Sequence, residues 1–251
     1  MDEILTALGE QHAELANLLA GLDEVDWKQP SRCEGWSVAD VVLHLAQTDE
    51  MAIASVEGRF LEYLEQAARD LGAGASVDEG ADLMVARERG QPGPAVRDRW
   101  QRRADELRER IASADPGLRV TWVAGEISAR TLATTRVAET WIHAGDVAAA
   151  FGKEPSATDR LWQIARLAWR TLPYAFSVGG QEMAGPVAFE LTSPSGEEWR
   201  FAPDTEAITT IRGPALDLCL VSARRVEPSE TALSGEGPDA TAVLELVRTY
   251  A

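Results

Sequence analysis

The sequence predicts an α+β protein, an N-terminal four-helix bundle followed by a small α+β domain. Two observations carry that prediction. Apolar residues recur at helical spacing in four long stretches before Gly152, and beyond Pro173 the period changes to two. The expected organisation is a helical bundle over 1–152, a connecting helix and linker over 153–185, and the small α+β domain over 186–251.

The first helix is expected over 3–22, where Ile4, Leu5, Leu8, Leu15, Leu18, Leu19 and Leu22 share a face. Gln29-Pro30-Ser31 then turns, and Ser37 with Asp40 three residues on forms a capping box that starts a second helix near Val38. Its apolar stripe (Val41, Val42, Leu45, Ala52, Ile53, Val56) runs on towards Leu64. The stretch 72–94, rich in Gly, Ala, Asp and Pro, reads as a loop with at most one helical turn. A charged helix follows over 94–114 with Val96, Trp100, Leu107 and Ile111 inward, then a connector through Val120-Thr-Trp-Val123. The fourth long helix is expected over 128–151, ended by Gly152, and a fifth over 159–172. Pro186 to Thr192 and Glu198 to Phe201 alternate around a Pro194-Ser-Gly196 turn, which predicts a hairpin. A strand over 207–212, a helix over 215–223, a short strand over 231–235 and a closing helix over 240–250 complete the chain.

The 251 residues suffice for two domains, and 45% hydrophobic with 26% charged residues is a globular composition. A formal charge of −17 argues against nucleic acid as partner, since a phosphate backbone is gripped by clustered Lys and Arg. The Arg residues between Arg99 and Arg110 alternate with acids and read as a solvated helix face. Arg87 and Arg89 read as surface charge. No apolar run is long enough to cross a membrane, and the acidic Met1-Asp-Glu start lacks the basic residues of a signal peptide, so a cytoplasmic location is expected. Cys33 and Cys219 read as free thiols, the second in the core. Ser195 and Ser229 have no His nearby in sequence, which gives no support to a serine hydrolase.

The chemistry gathers on the histidines. His12 reads as surface or boundary on the first helix. His44 lies beside the apolar stripe of the second. In the fourth, Arg136, Glu139, His143 and Asp146 are spaced three, four and three, so they line one face. Their neighbours are apolar, and a buried polar row must be paired, hydrogen-bonded or bound to metal. Glu139 and His143 stand one turn apart, as two ligands on one helix do, and His44 is the candidate third ligand from a facing helix. On spacing alone, a buried Glu139–His143 hydrogen bond with His44 an unrelated core histidine remains the plainer reading.

The segment Cys33-Glu-Gly-Trp-Ser-Val-Ala-Asp-Val-Val-Leu-His-Leu45 resembles the Gly-Trp-Thr/Ser-Val-x-Asp-x-x-x-His-Leu signature of the mycothiol-dependent maleylpyruvate isomerase family, within the DinB/YfiT-like four-helix bundles. Glu139-Thr-Trp-Ile-His143 resembles its second signature, and both lie in order within 1–152. The remainder is similar to the sterol-carrier-like α+β domain that follows the bundle in that family. An actinobacterial subgroup of metal-binding proteins shares the Glu-Thr-Trp-x-His-x-x-Asp-Val run and the Arg-Gly-Pro-Ala-Leu-Asp segment at 212–217.

The resemblance implies one divalent metal, zinc by preference, on His44, Glu139 and His143. It further implies mycothiol as co-substrate and a transferase or isomerase reaction on a small electrophile. Trp36, Arg136, Trp141 and Asp146 are then candidates for substrate contact or for orienting the ligands, with core packing the plainer reading for Trp36 and Trp141. The alternatives are a non-catalytic metal- or small-molecule-binding protein of this fold, or a metal-dependent hydrolase or lyase that uses no thiol. No residue is singled out as catalytic.

Overall fold

A computed structural model describes residues 1–68, 76–115, 117–123 and 125–249. The chain divides into two compact units, Met1–Ser156 and Ala157–Ala251.

The first unit is built on four long helices. Helix α1 (Asp2–Leu19) buries Ile4, Leu8, Leu15 and Leu19, its predicted apolar face. A short 3-10 turn, Asp26–Lys28, tucks in Trp27, and α2 (Val38–Val56) begins at Ser37. The capping box forms as the sequence requires: Asp40 N–H donates to Ser37 Oγ, and Ser37 N–H donates to Asp40 Oδ2. Helix α2 ends earlier than its apolar stripe suggests. Gly58 takes φ +73 and turns the chain, so Phe60–Ala68 is a separate helix, α3.

The loop expected over 72–94 is not what forms. Within it Ser76 and Glu79 make a second capping box, and Val77–Glu88 is a three-turn helix, α4. Among its residues only Val85 is buried, so the stretch carries little apolar periodicity. The part of that stretch before Ser76 lies outside the described residues. Helix α5 (Gly93–Ser113) follows, where a Cβ on Gly93 would lie 2.1 Å from the Trp27 ring. The connector after it is an antiparallel hairpin, β1 (Arg119–Trp122) with β2 (Gly125–Ser128). Ser128 then caps α6 (Ala129–Ala149). Helix α2 packs on α5 and α6, and α1 packs on the same two, which closes the bundle.

The second unit starts with the expected fifth helix, which the structure splits at Thr171 into α7 (Leu161–Arg170) and α8 (Leu172–Val178). Pro173 falls in the first turn of α8, where no hydrogen-bond donor is needed. Four strands form one sheet in the order β4-β3-β5-β6. The hairpin pairs β3 (Val187–Thr192) with β4 (Glu198–Phe201), and β5 (Thr209–Pro214) lies parallel to β3 on its other side. Helix α9 (Ala215–Ser222) follows directly and packs on α7. Strand β6 (Ser234–Glu236) closes the edge, and α10 (Ala240–Leu246) is shorter than expected.

His12 is not at the surface. It is buried in the bundle, edge-on to Trp100 with ring centroids 5.8 Å apart, and neither ring nitrogen has a hydrogen-bond partner among the described residues. Burial, reinforced by Arg108 and Arg136, pushes its pKa down to about 3. The unfolded chain binds this proton near 6.5, so protonation favours unfolding as pH falls from about 6.5 towards 3, at up to about 1.4 kcal/mol per pH unit. Thermal melts between pH 7 and pH 4 should show the wild type losing stability more steeply than His12→Phe, which keeps a ring against Trp100. Parallel curves for the two proteins would refute the assignment.

Candidate metal centre

Helix α6 is buried on nearly every side, and its polar row lies among apolar neighbours. Each member of the row takes a partner. Arg136 at its base is 2% exposed; its Nε donates to Asp49 Oδ1 at 3.1 Å and its Nη2 to Thr48 Oγ1 at 2.8 Å. Burial raises the Asp49 carboxyl to about 6, against the opposing pull of Arg136. Thr48 in turn donates to the His44 carbonyl at 3.0 Å, so Arg136 braces the backbone of α2 where His44 leaves it.

One turn along, Glu139 and His143 meet His44. Glu139 Oε1 lies 3.0 Å from His44 Nε2 and 3.5 Å from His143 Nε2, and the three donor atoms all fall within 4.8 Å of one another. The His44 and His143 rings stand edge to face with centroids 4.8 Å apart. On the far side of its ring, His143 Nδ1–H donates to Asp146 Oδ2 at 3.0 Å. Burial disfavours the Glu139 carboxylate, but hydrogen bonds from His143 and His44 outweigh it and hold the group well below its ordinary pKa. His143 is the converse: burial opposes its charged form, while Asp146, Cys33 and Glu139 raise it well above the ordinary histidine value. His44 is lowered by burial, partly offset by its hydrogen bond to Glu139.

The sequence candidates are thus distributed in three ways. His44, Glu139 and His143 converge. Asp146 reaches the outer nitrogen of His143, and Trp36 lies against His44 with ring centroids 5.1 Å apart, its Nε1–H donating to Asp82 at 2.7 Å. Arg136 and Trp141 face other partners: Trp141 Nε1–H donates to the Ser156 carbonyl at 2.7 Å. Asp49, Thr48 and Asp82 carry no signal in the sequence that would mark them as partners of this cluster. Arg89, expected as surface charge, donates to Asp40 Oδ1 and the Gly35 carbonyl, beside the capping box of α2. Cys33, expected as a plain thiol, places its sulfur 3.2 Å from Asp146 Oδ2 and 3.9 Å from His143 Nδ1.

The donor set fits a divalent ion. Zinc held at about 2.0–2.2 Å by nitrogen and oxygen in tetrahedral geometry sets its ligand atoms roughly 3.3–3.6 Å apart. Around Glu139 Oε1 the 3.5 Å separation lies in that range, and the 3.0 Å separation is a few tenths of an ångström short of it. Asp146 occupies the place of the carboxylate that orients a metal-binding imidazole through its second nitrogen. Glu139 keeps 21% of its side chain exposed, the most of the three.

Comparison with known proteins agrees with this architecture. Two uncharacterized proteins from two strains of Mycobacterium tuberculosis are each 33% identical over 241 residues, covering 95% of this chain and 91% of theirs. The crystal structure of a mycothiol-dependent maleylpyruvate isomerase superposes with a TM-score of 0.60 at 17% identity, covering 95% of both chains. That of a point variant gives 0.59. The family model for the mycothiol maleylpyruvate isomerase N-terminal domain matches residues 8–148, more than half of the chain, and the protein therefore belongs to that family.

Proposed function

We propose that the protein is a metal-dependent enzyme that uses a low-molecular-weight thiol, mycothiol by family, to isomerise or S-conjugate a small electrophilic metabolite. The observation that carries this reading is the convergence of His44 Nε2, Glu139 Oε1 and His143 Nε2 within the family's own domain. The similar solved structures are of mycothiol-dependent maleylpyruvate isomerases, which supports the thiol and the class of reaction.

His44, Glu139 and His143 would hold the ion, zinc by the chemistry of two imidazoles and a carboxylate. Bound there, a divalent ion supplies positive charge that shifts an incoming thiol towards its nucleophilic thiolate, which at an ordinary pKa near 8.5 is a minor species at neutral pH. The chain's own residues prepare that environment. Asp146 keeps a proton on Nδ1 of His143, which would leave the Nε2 lone pair for an ion shared with Glu139. Glu139 offsets part of the ion's charge from the open side of the cluster. Trp36 covers the His44 ring and is itself fixed by Asp82, so His44 keeps one orientation.

Metal content is the first test. Protein purified under metal-replete conditions should carry about one divalent ion per chain, removable by chelator and absent from His44→Ala and His143→Ala. Elemental analysis finding no ion in folded wild type would end the metal reading.

Activity is the second. Metal-loaded protein incubated with mycothiol and a panel of electrophiles (maleylpyruvate, quinones, epoxides, chlorodinitrobenzene) should, faster than buffer and only when metal and thiol are both present, either isomerise the electrophile with the thiol returned or consume thiol in an S-conjugate. Glu139→Gln removes a charged ligand, so its activity should fall mainly through lost occupancy and recover partly in excess zinc. Neither isomerised product nor thiol loss above the buffer rate across the panel would favour a binding protein, whose ligand would still raise the melting temperature. Turnover without thiol would favour hydrolysis or a lyase reaction.

A further inference from the structure

Cys33 belongs to neither signature ligand pair, yet its sulfur lies at the outer side of the same histidine. Its S–H donates to Asp146 Oδ2 at 3.2 Å, the oxygen that also accepts Nδ1–H of His143 at 3.0 Å. The backbone puts it there. Ser31 N–H donates to the Trp36 carbonyl, Trp36 N–H donates to the Cys33 carbonyl, and Cys33 N–H donates to Ser31 Oγ. Gly35 closes this loop at φ +75, and Arg32 N–H ties it to α6 by donating to the Asp146 carbonyl at 3.3 Å. The sulfur therefore sits on a loop already docked on the residue it touches.

We propose that Cys33 is a positioning residue of the metal centre, acting through Asp146 on His143. The proposal rests on the metal reading of the site. A carboxylate that orients an imidazole does so only as well as it is itself held. Asp146 is buried, and its Oδ2 receives one proton from the ring and one from the thiol, which fixes the oxygen in the plane His143 needs. The thiol is a weak donor, so it directs the carboxylate without drawing away the negative charge that makes His143 a good ligand. Serine offers a hydroxyl in the same place and preserves the arrangement, whereas alanine takes that donor from the carboxylate.

The test is zinc affinity of the metal-free full chain, measured by competition with a chromophoric chelator, with the cobalt(II) absorption spectrum alongside. Cys33→Ala should bind zinc about tenfold more weakly than wild type, the low end of what loss of an outer partner costs. Cys33→Ser should recover most of that loss. Melting temperatures of the metal-free proteins are measured alongside, so that a loss of affinity in a protein still fully folded at the assay temperature is read as positioning and not as unfolding. If Cys33→Ala does not fold, the near-isosteric Cys33→Val repeats the comparison. Equal affinity in wild type and the donor-less variant would overturn the proposal and leave the metal reading standing. A thiolate-to-cobalt charge-transfer band in wild type that vanishes in Cys33→Ser would overturn it too, by making the sulfur a ligand. Folded wild type that binds neither zinc nor cobalt overturns the metal reading and this proposal together.

Discussion

The first unit depends on one constraint: the helix at its centre carries a row of four ionisable side chains into the interior, and each must be answered by other side chains. Helix α6 is buried on nearly every side, so Arg136, Glu139, His143 and Asp146 cannot turn to bulk water as a surface row would. Asp49 and Thr48 answer Arg136, His44 answers Glu139, and Cys33 shares Asp146 with His143. Asp49, Thr48 and His44 all sit on α2 within two turns, so the polar row sets the register of α2 against α6. The scale of the effect is large enough to compete with packing. Leaving one partner of a buried ion pair alone costs about 3–5 kcal/mol, comparable to the roughly 2–5 kcal/mol of truncating a large core side chain.

The same row separates a structural from a chemical end. Arg136 and Asp49 are 2% and 0% exposed, and with Thr48 they bind the two helices beneath the site. Glu139, one turn further on, is partly open, and from there to Asp146 the groups are those that hold protons or metals. Bracing beneath a cluster is what keeps its side chains in one geometry. Removing the brace and removing a ligand are therefore different injuries, one felt in the stability of the bundle and the other in the affinity of the site.

Much of this is legible in the residues, and the parts that are not have physical reasons. The bundle helices announce themselves because each buries one stripe against the others, and Ser37 with Asp40 marks the start of α2 correctly. The spacing of Arg136, Glu139, His143 and Asp146 puts them on one face by helical geometry alone. Helix α4 escapes a periodicity reading because it buries only Val85, and its sole signal is the capping box at Ser76 and Glu79. The place of His12 is not written in its neighbours, since Gln11 and Ala13 do not say which way the ring points; burial beside Trp100 is a tertiary fact. Asp49 and Thr48 are hidden for the same reason, because their partner stands 87 or 88 residues away. Cys33 looks like a plain thiol in sequence, which shows the loop's residues but not the hydrogen bonds that dock it on Asp146.

A Glu-x-x-x-His pair facing a histidine from another helix is ambiguous because a proton and a metal ion satisfy nearly the same geometry. Glu139 accepts from His44 Nε2 at 3.0 Å, a hydrogen-bond distance and also, within a few tenths of an ångström, the spacing of two ligands on one ion. Distance alone therefore does not separate the two. The outer side of His143 serves both. A Glu139–His143 hydrogen bond needs a donor on Nε2, and the raised pKa of His143 keeps a proton on Nδ1 as well, where it meets a buried aspartate that is itself engaged by a thiol from a docked loop. A ring held at both nitrogens has lost the freedom to flip or change tautomer, and that loss serves a group that must present one lone pair in one direction. The apparatus behind His143 thus suits either occupant: it holds a charged ring between two carboxylates, or it aims one lone pair at an ion.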